Sequence, residues 1–131
     1  DDIIEVYSPD SQLFRSLNFY RLCSYSLEEL CTLHWTKLWQ RDEAAQADLL
    51  KVVEEVLGSR QVRSPDIGDH VIKEISSPLK FVLHYHFRLA SPLFGANNSC
   101  DHFLIALKAS LINAPPQHLH TEMLMKYYQS I

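Results

Sequence analysis

Two stretches of the chain alternate between apolar and polar side chains, and this pattern constrains the fold more than any other feature. In residues 80 to 89 one side of the alternation consists of Phe81, Leu83, Tyr85, Phe87 and Leu89. The other side holds Lys80, His84, His86 and Arg88, with Val82 as an apolar exception. Residues 101 to 108 alternate again through Phe103, Ile105 and Leu107, after a turn-like stretch at 92–99. Because successive side chains of a strand point to opposite faces, we predict a long antiparallel hairpin with one face in the core.

The residues before this hairpin have apolar side chains at the spacing of an α-helix. Leu49, Val52, Val53, Val56 and Leu57 form one apolar stripe at helical spacing. Asp42 and Glu43 stand before the stripe, where negative charge complements the helix dipole, and Gly58 follows it. We therefore predict an amphipathic helix from Asp42 to Leu57 that stops at Gly58.

Shorter signals complete the predicted order of elements. Residues 3–7 are β-branched and aromatic and end at a Ser-Pro-Asp-Ser turn, and residues 13–17 are predicted to pair back as a second strand. Ser26 and Glu29 have the spacing of a capping box, which predicts a short helix. A strand is expected near residues 71–75, and an amphipathic helix is expected after Pro115 and Pro116. Together these elements predict an α+β domain.

Composition narrows the class of protein. The chain has 131 residues, of which 47% are hydrophobic and 21% are charged, as in a globular domain with a real core. Twelve Lys and Arg against sixteen Asp and Glu, with no basic cluster, argue against direct binding to nucleic acid. No apolar run approaches the roughly 20 residues of a membrane span. The three cysteines lack the spacing of a zinc or redox motif, so we expect a cytoplasmic protein with reduced thiols.

The stretch from Asn18 to Trp39 resembles the opening helices of PAS (Per-Arnt-Sim) sensor domains. The resemblance is carried by Tyr25-Ser26-Leu27-Glu28-Glu29-Leu30, by the strand-like run 13–18 that ends in Asn, by Trp35, and by Arg41-Asp42-Glu43 before the long helix. It implies an α+β, PAS-like fold with about five antiparallel strands and helices on one side. Residues 1–112 would form the sensor domain, and residues 113–131 a C-terminal helix that packs on it or links it to an output domain.

The resemblance also implies a function. It is that of a non-catalytic sensory or protein-interaction module of a larger signalling or transcriptional regulator. Such a module binds a small ligand or a partner, forms a homodimer, and relays the signal through its C-terminal helix to an effector domain. This chain departs from the family pattern at Ser24, where glycine is usual, and at Lys108-Ala109-Ser110, where many members have Asp-x-Thr.

No cofactor is specified by the sequence. The segment that surrounds the reactive cysteine of flavin-binding members is not found around Cys23, Cys31 or Cys100, and residues 42–57 lack the histidine that haem-binding members place there. A ligand cavity between helices and sheet could be lined by Trp35, Trp39, Tyr85, Phe87 and Phe103. Ordinary core packing of these side chains is the alternative.

Three histidines support a second class of function. His84 and His86 share one face of a predicted strand, and hairpin parity places His102 on the same face of the next strand. Three imidazoles from adjacent strands could hold a catalytic zinc or iron ion, which would make the chain a metal-dependent enzyme or a metal-binding domain. The same face also carries Lys80, Arg88 and Lys108, so a solvated or partner-facing surface is the alternative.

Overall fold

The computed structural model of the protein describes residues 2 to 113, which form one antiparallel sheet and two α-helices. The strands are β1 (Ile3–Tyr7), β2 (Gln12–Arg15), β3 (Trp39–Arg41), β4 (His70–Glu74), β5 (Val82–Leu93) and β6 (His102–Asn113). The helices are α1 (Leu27–Thr32) and α2 (Glu43–Ser59), and short 3-10 turns lie at Leu17–Phe19, Trp35–Lys37 and Ala96–Asn98. The predicted C-terminal helix at 113–131 lies outside the described residues, apart from Asn113.

The strands form a single six-stranded sheet in the order β2-β1-β6-β5-β4-β3. All neighbouring strands are antiparallel. Helix α2 contacts β5 and β6, and the face it covers is called the inner face here. The α+β class is confirmed, and the sheet has one strand more than the five expected. The additional strand is β3, whose three residues pair with β4 from Trp39 to Arg41.

The predicted hairpin is confirmed as β5 and β6, the two longest strands. Their alternation holds up to Phe87, where a bulge shifts the register between Phe87 and Leu89. The side chain of Leu89 is consequently only half-buried, and Ala90 takes the core position with 0% exposure. The prediction that Leu89 lies on the core face is wrong, because a bulge adds a residue that period-two counting cannot register.

Helix α2 begins as predicted and ends later. The Asp42 carboxylate caps it by accepting hydrogen bonds from the amides of Ala44 and Ala45 at 3.1 and 3.2 Å. The helix then passes through Gly58, and Arg60 adopts the left-handed conformation with φ of 60°. The amide of Arg60 donates to the carbonyl of Val56 at 2.9 Å. The prediction of a stop at Gly58 is therefore wrong by two residues.

The motif from Tyr25 to Leu30, which resembles the PAS pattern, holds the start of α1 against the sheet. Ser26 and Glu29 form the predicted capping box. The Tyr25 hydroxyl donates to the Leu38 carbonyl at 2.5 Å and accepts from the amides of Ile75 and Ser76 at 3.1 and 3.0 Å. Ser24 has no positive φ, and its amide donates to Glu74 at 2.7 Å, so this corner does not need glycine.

The core lies between α2 and the inner face and includes one buried ionic network. Arg15 pairs with Glu5 at 3.0 Å, and Gln12 and Tyr7 hydrogen-bond to the same carboxylate at 2.9 and 3.0 Å. The three cysteines are free. Neither α-helix in residues 2–113 has the length and apolar character to cross a membrane.

Candidate functional site

A cavity of about 50 Å³ lies between α2 and the inner face of the sheet. Its walls are mainly aromatic and aliphatic, formed by Tyr7, Trp35, Trp39, Leu49, Leu50, Val53, Tyr85, Phe103 and Ile105. Three polar side chains, Thr36, Arg41 and Gln46, complete the lining. This volume accommodates about three to five water molecules, so a ligand enclosed in it would be small.

Four of the five predicted ligand-binding residues line this cavity. They are Trp35, Trp39, Tyr85 and Phe103, whereas Phe87 is packed in the core at 4% exposure and is not part of the lining. That these residues bind a ligand stays a prediction.

Pairing and ring contacts hold the aromatic wall in place. Tyr7 on β1 pairs with Phe103 on β6, and their rings stack with centroids 5.2 Å apart. Trp39 makes edge contacts with Phe19 and Tyr25 at centroid distances of 6.0 and 5.8 Å. Trp35 is less buried, and its indole N–H donates to the Pro9 carbonyl at 3.1 Å. The wall is thus fixed by the sheet at Tyr7, Phe103 and Trp39 and by a loop contact at Trp35.

Arg41 is the charged group of the cavity. Strand β3 pairs Arg41 with the buried Ile72 of β4, which places both side chains on the inner face. The guanidinium carbon lies 4.9 Å from the centroid of the Tyr85 ring. The Nε and Nη1 atoms are buried and have no hydrogen-bond partner among residues 2–113. A guanidinium with two unpartnered nitrogens among residues 2–113 therefore belongs to the lining of a largely apolar cavity, beside the Tyr85 side chain.

The tyrosine and histidine side chains near Arg41 are neutral near pH 7. Burial raises the pKa of Tyr85 well above its usual value of 10, with Arg41 opposing that change, and burial likewise raises the pKa of Tyr7. His70 lies on β4 opposite Tyr85, with ring centroids 5.0 Å apart. Burial lowers the pKa of His70, and the positive potential of Arg41 adds to that effect. Arg41 is therefore a positive charge among side chains that are themselves neutral at this end of the inner face.

Arg41, Gln46 and Tyr7 line the cavity, although the sequence pattern did not identify them as parts of the site. The sequence places Arg41 directly before the long helix, where an arginine is expected in solvent. The available signal was the spacing of Trp39 and Arg41, which are two residues apart and so share a face once the segment is a strand. A strand of three residues carries too little pattern to reveal this.

The predicted three-histidine cluster is wrong. His84 and His86 lie near each other on the outer face, where Asp69 is 2.5 Å from Nδ1 of His86 and 3.9 Å from Nε2 of His84. His86 pairs with Lys108, whereas His102 pairs with Leu93, so His102 is about 20 Å away along β6. His102 instead contacts Asp101 at 2.6 Å. Hydrogen bonding to His86 lowers the pKa of Asp69. Within residues 2–113, no three His, Cys, Asp or Glu side chains are grouped so as to hold a metal ion.

The structure is similar to solved PAS domains. A variant PAS-B domain of Drosophila melanogaster Cycle with bound glycerol aligns with a TM-score of 0.58 and 12% identity, over 84% of this chain and 99% of that chain. A PAS domain from Colwellia psychrerythraea aligns with a TM-score of 0.57 and 12% identity, over 86% and 88% of the two chains. A blue-light activated histidine kinase of Erythrobacter litoralis gives a TM-score of 0.57 at 12% identity, over 98% of this chain and 39% of the kinase chain.

No protein-family model and no curated protein sequence matches the chain. At identities near 12%, the structural likeness establishes the fold. The predicted PAS-like α+β architecture is confirmed.

Proposed function

From the premise that the chain has the PAS fold, we propose that it is a sensory module that binds a small molecule in the cavity between α2 and the sheet. Binding would alter how the module contacts a partner or an effector domain within a larger signalling or transcriptional regulator. The observation that carries this proposal is the cavity itself, with its aromatic wall and few polar groups. Apolar cavities with a few fixed polar side chains are the usual form of small-molecule sites.

The lining favours binding over catalysis. In the described part of the chain, the cavity wall contains hydroxyl, amide and guanidinium groups but no carboxylate, imidazole or thiol. Buried Tyr7 and Tyr85 stay protonated near neutral pH because burial raises the pKa of both hydroxyls. A wall of this kind lacks the general bases and nucleophiles that most hydrolytic and transfer reactions require.

Strand β6 offers a route from the cavity to the rest of a regulator. Phe103 and Ile105 of β6 line the cavity, and the same strand runs to Asn113, directly before residues 114–131. A ligand that binds one arrangement of β6 more tightly than another would shift the population toward that arrangement. The following segment would then receive the signal, as the structural likeness to a light-activated histidine kinase suggests.

The outer face supports the proposal of a homodimer or a partner contact. Val6 of β1 pairs with Phe14 of β2 and with Leu104 of β6, and Phe14 is 52% exposed. Ile4 pairs with Ala106 on the same face. Adjacent apolar side chains on a sheet face are typical of a surface that contacts another protein segment. A second copy of this chain is our proposed occupant.

The proposed ligand site is tested by filling the cavity. Val53→Phe adds a ring to the cavity wall, whereas Val71→Phe makes the same change at a position that is 49% exposed on the outer face. We expect at least one compound from a library of molecules with up to about six heavy atoms, a size that suits this volume, to raise Tm in the wild type and in Val71→Phe. The same compound should leave Val53→Phe unchanged, because a ligand stabilises only the protein it binds.

Circular dichroism checks that Val53→Phe is folded, and Leu50→Phe at the same wall serves as a second variant if it is not. Native mass spectrometry of each variant measures the bound mass directly. The proposal is overturned if no compound stabilises the wild type, or if the stabilising compounds act equally on the cavity-filling variants.

A further inference from the structure

Two arginines on the inner face differ in how their charge is compensated. Arg15 forms an ion pair with Glu5 at 3.0 Å and lies over the Phe19 ring at 4.2 Å. Arg41 lies over the Tyr85 ring but forms no ion pair with a carboxylate of residues 2–113. Its Nε and Nη1 atoms are buried without a partner in that range. Arg15 and Arg41 therefore each stack on an aromatic ring, but of these two only Arg15 has a carboxylate partner within residues 2–113.

The acidic groups around Arg41 are engaged elsewhere. Glu5 accepts hydrogen bonds from Tyr7 and Gln12 in addition to its pairing with Arg15. Glu74 accepts from the amides of Ser24 and Phe81 at 2.7 and 3.0 Å. Asp42 follows Arg41 directly but caps α2 with its carboxylate. The positive charge at the cavity is thus left without an anion in the described part of the chain.

We infer that the cavity takes a short-chain carboxylate, whose anionic group pairs with Arg41 and whose apolar end lies against the aromatic wall. This inference rests on the proposed function and specifies its ligand class. A partly buried guanidinium gains strongly from a charge-assisted hydrogen bond, and carboxylates fit its planar donors. The Gln46 side chain lines the same cavity and has an amide that can donate a hydrogen bond to an anion. The volume of about 50 Å³ restricts the acid to a short chain.

Intrinsic tryptophan fluorescence measures ligand binding at this cavity. The chain has two tryptophans, Trp35 and Trp39, and both line the cavity, so a ligand there changes their fluorescence. The probes are propionate and propionamide, which have nearly the same shape and differ in charge. Titrations of the whole 131-residue chain at constant ionic strength give the two dissociation constants.

We expect propionate to bind at least about tenfold more tightly than propionamide. Arg41→Gln should weaken propionate binding by about 10- to 100-fold and leave propionamide nearly unchanged, because only the anion loses its charged partner. Arg88→Gln is the matched control, since it removes the same charge from a half-exposed side chain on β5. If Arg41→Gln fails to fold, Arg41→Lys tests the same contact and should bind propionate more weakly than the wild type.

The outcomes separate this inference from the proposed function. Equal binding of propionate and propionamide, or an unchanged preference in Arg41→Gln, overturns the carboxylate inference and leaves the cavity as a ligand site. The carboxylate inference is also overturned, and the cavity still stands as a ligand site, if acetate, propionate and butyrate all fail to bind while neutral or cationic library compounds bind there. Failure of every compound overturns both.

Discussion

Glu74 shows how a single buried residue ties together segments that are distant in sequence. Its side chain is 1% exposed and accepts hydrogen bonds from the amide and hydroxyl of Ser24 and from the amide of Phe81. Ser24 precedes α1, and Phe81 immediately precedes β5. A carboxylate suits this position because it can accept several bonds at once and donates none.

Glu74→Gln should therefore destabilise the fold. The amide of the new side chain would place a donor against an amide or hydroxyl donor, which leaves a buried group unpaired. We expect the free energy of unfolding to fall by about 2 to 3 kcal/mol. Urea denaturation measures it, with Glu54→Gln on the exposed side of α2 as a control that should change stability by less than about 0.5 kcal/mol. Equal effects of the two substitutions would contradict the role assigned to Glu74.

His70 gives the molecule a defined response to acid. Burial lowers the pKa of His70 below its ordinary value of 6.5, and the charge of Arg41 acts in the same direction. The hydrogen bond from His70 to the Gly68 carbonyl and the charges of Asp42 and Asp69 oppose this change without reversing it. The unfolded chain therefore binds the proton at a higher pH than the folded chain, so stability is lost as the pH falls through 6.5 toward the lower folded value.

We expect His70→Asn to lose less stability than the wild type as the pH falls below 6.5. Denaturation at a series of pH values measures the two slopes, and the other histidines contribute equally to both proteins. A variant that loses stability as steeply as the wild type would show that His70 is not the titrating group.

Among the helices and strands, the sequence predicted best the features that depend on interactions between residues close together in the chain. The capping box of Ser26 and Glu29 and the N-cap of Asp42 depend on residues two or three positions apart, so they are visible in the sequence. The bulge at Phe87 and Leu89 and the short strand β3 depend on pairing with a distant segment. Nothing within residues 39–41 or 87–89 specifies that pairing, which is why both were missed.

Gly58 allows a test of the corrected end of α2. It lies inside the helix, has no positive φ, and a methyl group added there would meet no atom within 4 Å. Gly58→Ala should stabilise the protein by about 0.5 kcal/mol, because alanine loses less backbone entropy on folding. Thermal or urea unfolding measures the change. If Gly58 were the left-handed stop that the sequence suggested, the same substitution would be destabilising.

At the scale of the whole molecule, the sequence predicted the inner face but not the cavity within it. Alternation identified Tyr85 and Phe103 as inward-facing, and four of the five predicted ligand-binding residues line the space. The cavity is the space left between α2 and the sheet, so its volume depends on how closely the helix packs on the sheet. Arg41 enters that space because β3 joins the edge of the sheet, which only the folded arrangement reveals.

The proposed small-molecule site is tested most directly by NMR, through the indole N–H signals of Trp35 and Trp39 during titration with the small-compound library. We predict that at least one compound shifts both signals saturably in the wild type and in Val71→Phe, and fails to do so in Val53→Phe. Signals that stay unchanged with every compound, or that shift equally in the cavity-filling variant, would contradict the claim that this PAS fold holds a small-molecule site between α2 and the sheet.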